Sequence, residues 1–424
     1  MTALPPQGDA QPVAAPDLDG AAPKVLFLHR GGFGQFEFLG KWLADQGWHV
    51  TFAMAGDGED RKQGNIHIRH FRPRNLGLPR HDFRHVLDYA AVNCMGAAEL
   101  MDRMLHDEGY HPDIVMAHVG WGVGLSVKQI WPRCRYIAYH EWYYGNWNWD
   151  KQRAELPADH VTMVGDRMRN LVIGGEFDLA DDNWCPTRFQ ASRFPPKLRA
   201  QVRVISDGVD CEKHSPDPEA RIDFDWVRLP KGRKVLTYAT RGMEPLRGFP
   251  QFLRGLERLQ SQRDDFDTVI LANESVSYGQ QLPQGDSWWL RMVAELDLDH
   301  SRIHVNSMRP REEYVKVLQA SHAHVYFTEP FVTSWSLSEA LAIGALIIGS
   351  NTAPVTEMVE DMENGIIVDM DDPEEIAEMI AWAFDNPEEA AALRQEARRR
   401  ILEQHEAGMV FQQKRALLQA MMAG

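Results

Sequence analysis

Two arginines six residues apart, Arg241 and Arg247, lie in the segment Thr240-Arg241-Gly242-Met243-Glu244-Pro245-Leu246-Arg247-Gly248, between an apolar run and a helical pattern. A guanidinium offers forked donors that match phosphate oxygens, so two in one loop can converge on a diphosphate. Surface pairing with acidic neighbours is the plainer use of the same residues. A second segment, Glu329-Pro330-Phe331-Val332-Thr333-Ser334-Trp335-Ser336-Leu337-Ser338-Glu339-Ala340, sets Glu339 early in a helix. Its carboxylate can accept hydrogen bonds from two ribose hydroxyls, as acidic residues do in dinucleotide folds. Ser336 can also cap that helix, which would put Glu339 at the N3 position of a capping box. The amides of the preceding turn would then face outward as an anion site.

His118 stands in Ala117-His118-Val119-Gly120-Trp121-Gly122, at the end of an apolar strand and among glycines, where a substrate is expected; a structural histidine fits the pattern too. Further on, His140-Glu141-Trp142-Tyr143-Tyr144-Gly145-Asn146-Trp147-Asn148-Trp149 interleaves aromatic and polar side chains. Sugars present apolar C–H faces and hydroxyl edges, so aromatic platforms beside hydrogen-bonding groups suit them, with core packing as the alternative. The glycine loop Gly31-Gly32-Phe33-Gly34 departs from GxGxxG, and no acid follows Met54 to close a second strand on a ribose. Small residues there let a ligand approach the backbone closely.

These residues need strand ends and helix starts to hold them. Strands are expected at Lys24 to His29, Gly47 to Met54, Ile66 to His70, Ile114 to Ala117 and Tyr136 to Tyr139, with helices at 35–46, 82–107 and 123–130. After a short helix at 187–193 and a Pro-containing linker, a second series follows. Its strands are Lys234 to Ala239, Thr268 to Ala272, Ile303 to Val305, Ala323 to Phe327, Leu346 to Ile348 and Gly365 to Val368. Its helices are 249–258, 311–320, 336–343 and 373–384, followed by 387–404 and one more reaching Leu418. Strand and helix alternating in this way predict two open α/β domains with parallel sheets.

At 424 residues, two domains are expected. The divisions are 1–22 as a disordered Pro/Ala/Gly/Asp-rich lead-in, 23–210, 211–395, and a final helical segment 396–424. The formal net charge of −16 argues against general nucleic-acid binding. Cys94, Cys134, Cys185 and Cys211 are too far apart for a zinc knuckle or a disulfide framework, and no apolar stretch is long enough to span a membrane. A cytoplasmic protein is expected. Asp371-Asp372 and Glu360-Asp361 are read as solvated loop charges rather than metal ligands. Arg69, Arg72, Arg74, Arg80 and Arg84 are read as solvated too, with an anionic acceptor or the inner face of a membrane as the alternative.

From about Lys24 onward the chain resembles the retaining glycosyltransferases of family 4, most specifically from Thr237 to Glu357. The resemblance implies the GT-B architecture, in which two Rossmann-like domains with parallel sheets face each other across a cleft. The final helix would cross back to the first domain. Arg241 and Arg247 match the basic pair that binds the donor diphosphate, and with His118 they form the implied catalytic set. Glu339 matches the second Glu of a Glu-x7-Glu motif, the ribose anchor. Eight residues back stands Phe331 where the first Glu would be, with Glu329 ten back, as in a bacterial branch of the family. Thr333, Ser334, Trp335, Ser336, Gly31, Gly32 and Met308 complete the implied donor-binding set, and His140, Glu141, Trp142 and Tyr143 the acceptor side. The implied activity is hexosyl-type transfer, with retention, from a UDP- or GDP-sugar to a glycan, glycolipid or small-metabolite acceptor. It would require neither metal nor cofactor. The rival readings are a non-catalytic GT-B binding subunit and a nucleotide-sugar epimerase.

Overall fold

The run Lys24–His29 forms strand β1, and Val25, Leu26, Phe27 and Leu28 are all buried, as a strand covered on both faces requires. The computed structural model describes residues 22–74, 85–145, 160–279 and 281–423. Residues 1–21 of the expected lead-in, the Asn146-to-Trp149 end of the aromatic segment, Arg80 and Arg84 lie outside the described residues. Strands β2 (His49–Ala55), β3 (Arg61–Gln63), β4 (Ile66–Phe71), β5 (Ile114–His118), β6 (Arg135–Tyr139), β7 (Asp182–Cys185) and β8 (Val202–Val204) follow. They assemble in the order β3-β4-β2-β1-β5-β6-β7-β8. β1 pairs in parallel with β2 and β5 and so lies centrally, while β3 pairs antiparallel with β4.

A two-residue ribbon of β9 (Asp223–Phe224) and β10 (Val227–Arg228) precedes the second sheet. That sheet contains β11 (Lys234–Gly242), β12 (Phe266–Asn273), β13 (Ile303–Asn306), β14 (Ala323–Tyr326), β15 (Ile347–Ser350) and β16 (Ile366–Val368), in the order β13-β12-β11-β14-β15-β16. Every pairing in it is parallel. Successive side chains alternate between two cores, as a period of two demands. Leu236, Tyr238, Ile270 and Ile348 enter one layer, and Val235, Ala239, Val269, Leu271 and Ile347 the other. In the first layer the helix Phe249–Gln262 lies tight on the helix Pro373–Asp385: a Cβ on Gly255 would meet Ile376 at 2.3 Å.

The described residues divide into two compact units. One comprises the chain up to Tyr139 with Leu171–Asn183 and the chain from Phe411 onward. The other comprises the described residues of 140–170 and Trp184–Val410. The C-terminal helix Ala407–Ala423 therefore contributes its larger part to the first unit, where Phe411 packs on Trp42. No described helix is long and apolar enough to cross a membrane.

Three helices are among the elements that differ from expectation. The helix expected over 123–130 is confined to Val127–Ile130, because Gly120 and Gly122 take positive φ and Gly124 packs a bare Cα against Tyr136. The helices His160–Leu179 and Trp288–Glu295 were not expected. The first is interrupted in pattern by Gly174-Gly175 and mixed charges; the second is only eight residues long.

Candidate active site

β11 leads through the turn Pro245–Arg247 into the helix Phe249–Gln262. Gly248 between them has φ +65°, and a Cβ there would sit 2.4 Å from Phe327. Only glycine meets both demands. The turn delivers Arg247 into the protein, 7% exposed, where it donates to Thr328 Oγ1 (2.9 Å) and the Val332 carbonyl (3.1 Å). Its guanidinium lies beside the contacting rings of Tyr278 (5.5 Å) and Phe331 (5.7 Å). Arg241, exposed, donates to the Tyr278 hydroxyl at 3.3 Å. The two arginines thus meet on one tyrosine. Neither forms an ion pair among the described residues, so the buried Arg247 charge is held by neutral acceptors and π faces.

Tyr278 is placed by a residue of the same loop that carries the arginines. Glu244, fully buried, accepts the amides of Ser277 and Tyr278. Burial raises its carboxyl above the usual range, against those amides and the two arginines, which lower it. Gly242 lets the loops touch, since a Cβ there would lie 2.4 Å from the Ser275 carbonyl. Neither Tyr278 nor Glu244 was singled out by sequence. Glu244 was visible within the loop, but nothing local indicated its partner.

β14 leads into the second loop. Ser334 is the N-cap of the helix Trp335–Ile343, accepting from the Ser336 amide at 3.3 Å, so the helix begins earlier than expected. Glu339 is then its fifth residue rather than N3, and the capping-box expectation is corrected. Its carboxylate instead accepts from Arg311 and from the Tyr314 hydroxyl (3.3 Å) and is 6% exposed. Arg311 donates as well to His214 Nε2 at 3.0 Å. Because arginine can only donate, Nε2 accepts, and Nδ1 gives its proton to the Asp210 carbonyl at 2.8 Å. Burial lowers the His214 pKa, in keeping with a neutral ring. Arg311, Tyr314 and His214 were not anticipated.

The rest of this loop is already engaged in part. The Ser334 amide donates to the Tyr326 hydroxyl (2.9 Å), Thr333 Oγ1 to the Pro354 carbonyl (3.4 Å) and the Trp335 indole to Asp207 (2.9 Å). Phe331, eight residues before Glu339, packs on Tyr278 (5.2 Å), on Trp142 (5.1 Å) and on the Arg247 guanidinium. It forms a wall that orients the arginine. Met308 lies in the loop after β13, 48% exposed. Glu360 pairs with Arg400 (2.8 Å) and Asp372 caps the helix Pro373–Asp385.

In the second unit, Trp142 and Tyr143 are each 9% exposed, and His140 is fully buried with its ring edge against Phe194 (5.2 Å). The Glu141 carbonyl accepts from Gln190 (2.6 Å). In the first unit, Gly31 and Gly32 are exposed after β1, with nothing near a built Cβ. His118 ends β5, its ring 5.0 Å from that of His29, and its Nδ1 accepts from the Trp121 indole at 3.1 Å. The loop beyond is gripped by Glu176, another residue the sequence did not reveal. Its carboxylate accepts the Gly120 amide at 2.6 Å and the Gly124 amide at 2.9 Å. Burial raises its pKa to about 7 in spite of these bonds.

Residues 46–213 match the model of the Glycosyl transferase family 4 group, and residues 223–400 that of Glycosyl transferases group 1. No curated protein matches in sequence. Among solved structures, sucrose-phosphate synthase from Thermosynechococcus elongatus superposes with a TM-score of 0.70 at 16% identity, over 95% of this chain and 99% of that one. Anabaena HepE in complex with UDP-glucose gives 0.68 at 14% identity, over 94% and 99%. The UDP-forming α,α-trehalose-phosphate synthase from Burkholderia vietnamiensis gives 0.68 at 13%, over 94% and 100%. Two parallel-sheet domains, glycosyltransferase models on both halves and these architectural neighbours together make the chain a glycosyltransferase of GT-B type.

Proposed function

We propose that the protein transfers a hexose from a nucleoside-diphosphate sugar to a glycan, glycolipid or small-metabolite acceptor with retention of configuration, and that Arg241, Arg247 and Glu339 form the donor site. The observation that carries this reading is Arg247: a buried guanidinium, fixed by Thr328, Val332, Tyr278 and Phe331, with no carboxylate paired to it among the described residues. A buried charge without a counter-charge is costly, and an anionic ligand offsets that cost. UDP is the favoured nucleotide, since HepE was solved with UDP-glucose and the trehalose-phosphate synthase is UDP-forming.

Breaking the bond from sugar to phosphate builds negative charge on the departing diphosphate while the anomeric carbon becomes oxocarbenium-like. Preorganised cations stabilise charge where it develops, which is usually the largest catalytic contribution. The acceptor hydroxyl attacks on the face the diphosphate leaves and gives its proton to the phosphate, so no protein nucleophile is assigned. Neither metal nor cofactor has a part in this scheme.

Arg247→Met keeps apolar bulk beside the Tyr278 and Phe331 rings and removes the charge. Turnover of UDP-glucose, by transfer or by hydrolysis, should fall about 100-fold or more. Turnover near the parent's would overturn the assignment. Phe331 at the sugar end favours one second reading, a binding subunit without turnover. A parent protein that binds UDP-glucose and never hydrolyses it would establish that reading instead.

A further inference from the structure

Arg30 is the residue directly after β1, the strand flanked by β2 and β5. Ligands of open α/β sheets gather at the carboxyl ends of such strands. Its guanidinium lies 4.2 Å from the centroid of the Trp121 ring and 5.3 Å from that of Tyr89, and the two rings pack edge to face at 6.1 Å. Trp121 is itself oriented, because its indole N–H donates to His118 Nδ1. The aromatic faces hold the cation in place but use none of its N–H donors.

Three other arginines of this unit pair with acids. Arg69 pairs with Asp60 and Glu108 at 2.6 Å each, Arg72 with Asp57 at 2.7 Å and Arg74 with Glu99 at 2.6 Å. Arg30 forms no hydrogen bond and no ion pair among the described residues. The acid beneath the neighbouring loop, Glu176, is taken by the amides of Gly120 and Gly124. Beside Arg30, Gly31 and Gly32 leave open space, with no atom within 4 Å of a built Cβ on either. The result is a preoriented, unspent guanidinium next to exposed backbone.

We propose that Arg30, clamped by Trp121 and Tyr89, is an oxyanion subsite for the acceptor, so the acceptor is a sugar that carries a phosphate or carboxylate group. This rests on the glycosyl-transfer reading. A guanidinium fork matches either anion bidentately, and its fixed orientation reduces the ordering cost of binding.

The test uses the full chain saturated with UDP, so that the donor's own phosphates are already in place. Glucose, glucose 6-phosphate and glucuronate are each titrated by calorimetry. Either acidic sugar, or both, should bind at least tenfold more tightly than glucose, and which one does so tells phosphate from carboxylate. Arg30→Ala should abolish that preference, and Arg30→Lys should restore part of it, at unchanged melting temperature. Equal binding of all three sugars, or no binding, overturns the proposal, as does an acidic sugar that binds Arg30→Ala as tightly as the parent. If Arg30→Ala instead weakens UDP itself, the anion is the donor's diphosphate, and the acceptor assignment fails. Failure of the glycosyl-transfer reading looks different: the parent binds neither UDP nor UDP-glucose.

Discussion

Glu339 shows how one carboxylate can be structural and available at once. It accepts from Arg311 and from Tyr314, yet a carboxylate has about four acceptor positions, so two remain for ribose hydroxyls. Arg311 keeps it aimed, and His214 steadies Arg311. Glu339→Ala should therefore weaken UDP about tenfold or more, roughly 1.4 kcal/mol. It should also erase any preference of the parent for UDP over 2′-deoxy-UDP, because alanine has no oxygen to accept from the 2′-hydroxyl. Competition binding with the two nucleotides decides it: if the variant only melts earlier and still prefers UDP, the carboxylate serves the fold alone. The position of this residue on a helix was readable in sequence; its partners were not. Arg311 stands 28 positions away and Tyr278, which joins the two arginines, 37 positions from Arg241. Such neighbours are made by sheet topology, which brings successive strand ends together, and no local spacing encodes them.

The loop Val119 to Gly124 is an element whose conformation depends on a buried acid. Glu176 titrates near 7 in the folded protein and near 4.5 when unfolded. The folded state therefore holds an extra proton between those values, and the associated stability is present below about 4.5 and lost as the pH rises towards 7. The loss is on the order of a few kcal/mol. Urea unfolding of the parent and of Glu176→Gln at pH 5, 6 and 7 should give curves whose separation changes in that direction. Parallel curves across the window would show that Glu176 is ionised throughout. Glutamine also presents an amide to one of two glycine N–H groups where an oxygen is needed, so the variant should be less stable than the parent at pH 5, with the gap narrowing towards pH 7. Elements with strong apolar runs, such as β1, β11 and β14, were legible from their composition. β7, only four residues long with polar Asp182 and Asn183, and the glycine-broken helix His160–Leu179 were not. Their identity comes from burial against neighbours rather than from periodicity.

At the scale of the whole molecule, the proposed function asks a chain of net charge −16 to bind an anionic nucleotide, so attraction has to be local. The two arginines proposed to supply it, Arg241 and Arg247, both belong to the second unit, as do Tyr278, Glu339 and Arg311. Binding that requires this unit to be folded stabilises it by linkage, about 2.7 kcal/mol at 100 times the dissociation constant. Openings that destroy the site then become roughly 100-fold rarer, and amides that exchange through them slow in proportion. Hydrogen exchange with saturating UDP should accordingly show its strongest protection over 240–248, 273–278 and 326–343. The first unit, including β1 and the Gly120-to-Gly124 loop, should change less, because its openings need not expel the nucleoside diphosphate. Strongest protection in the first unit would remove the donor diphosphate from Arg241 and Arg247, even though the fold would stand unchanged.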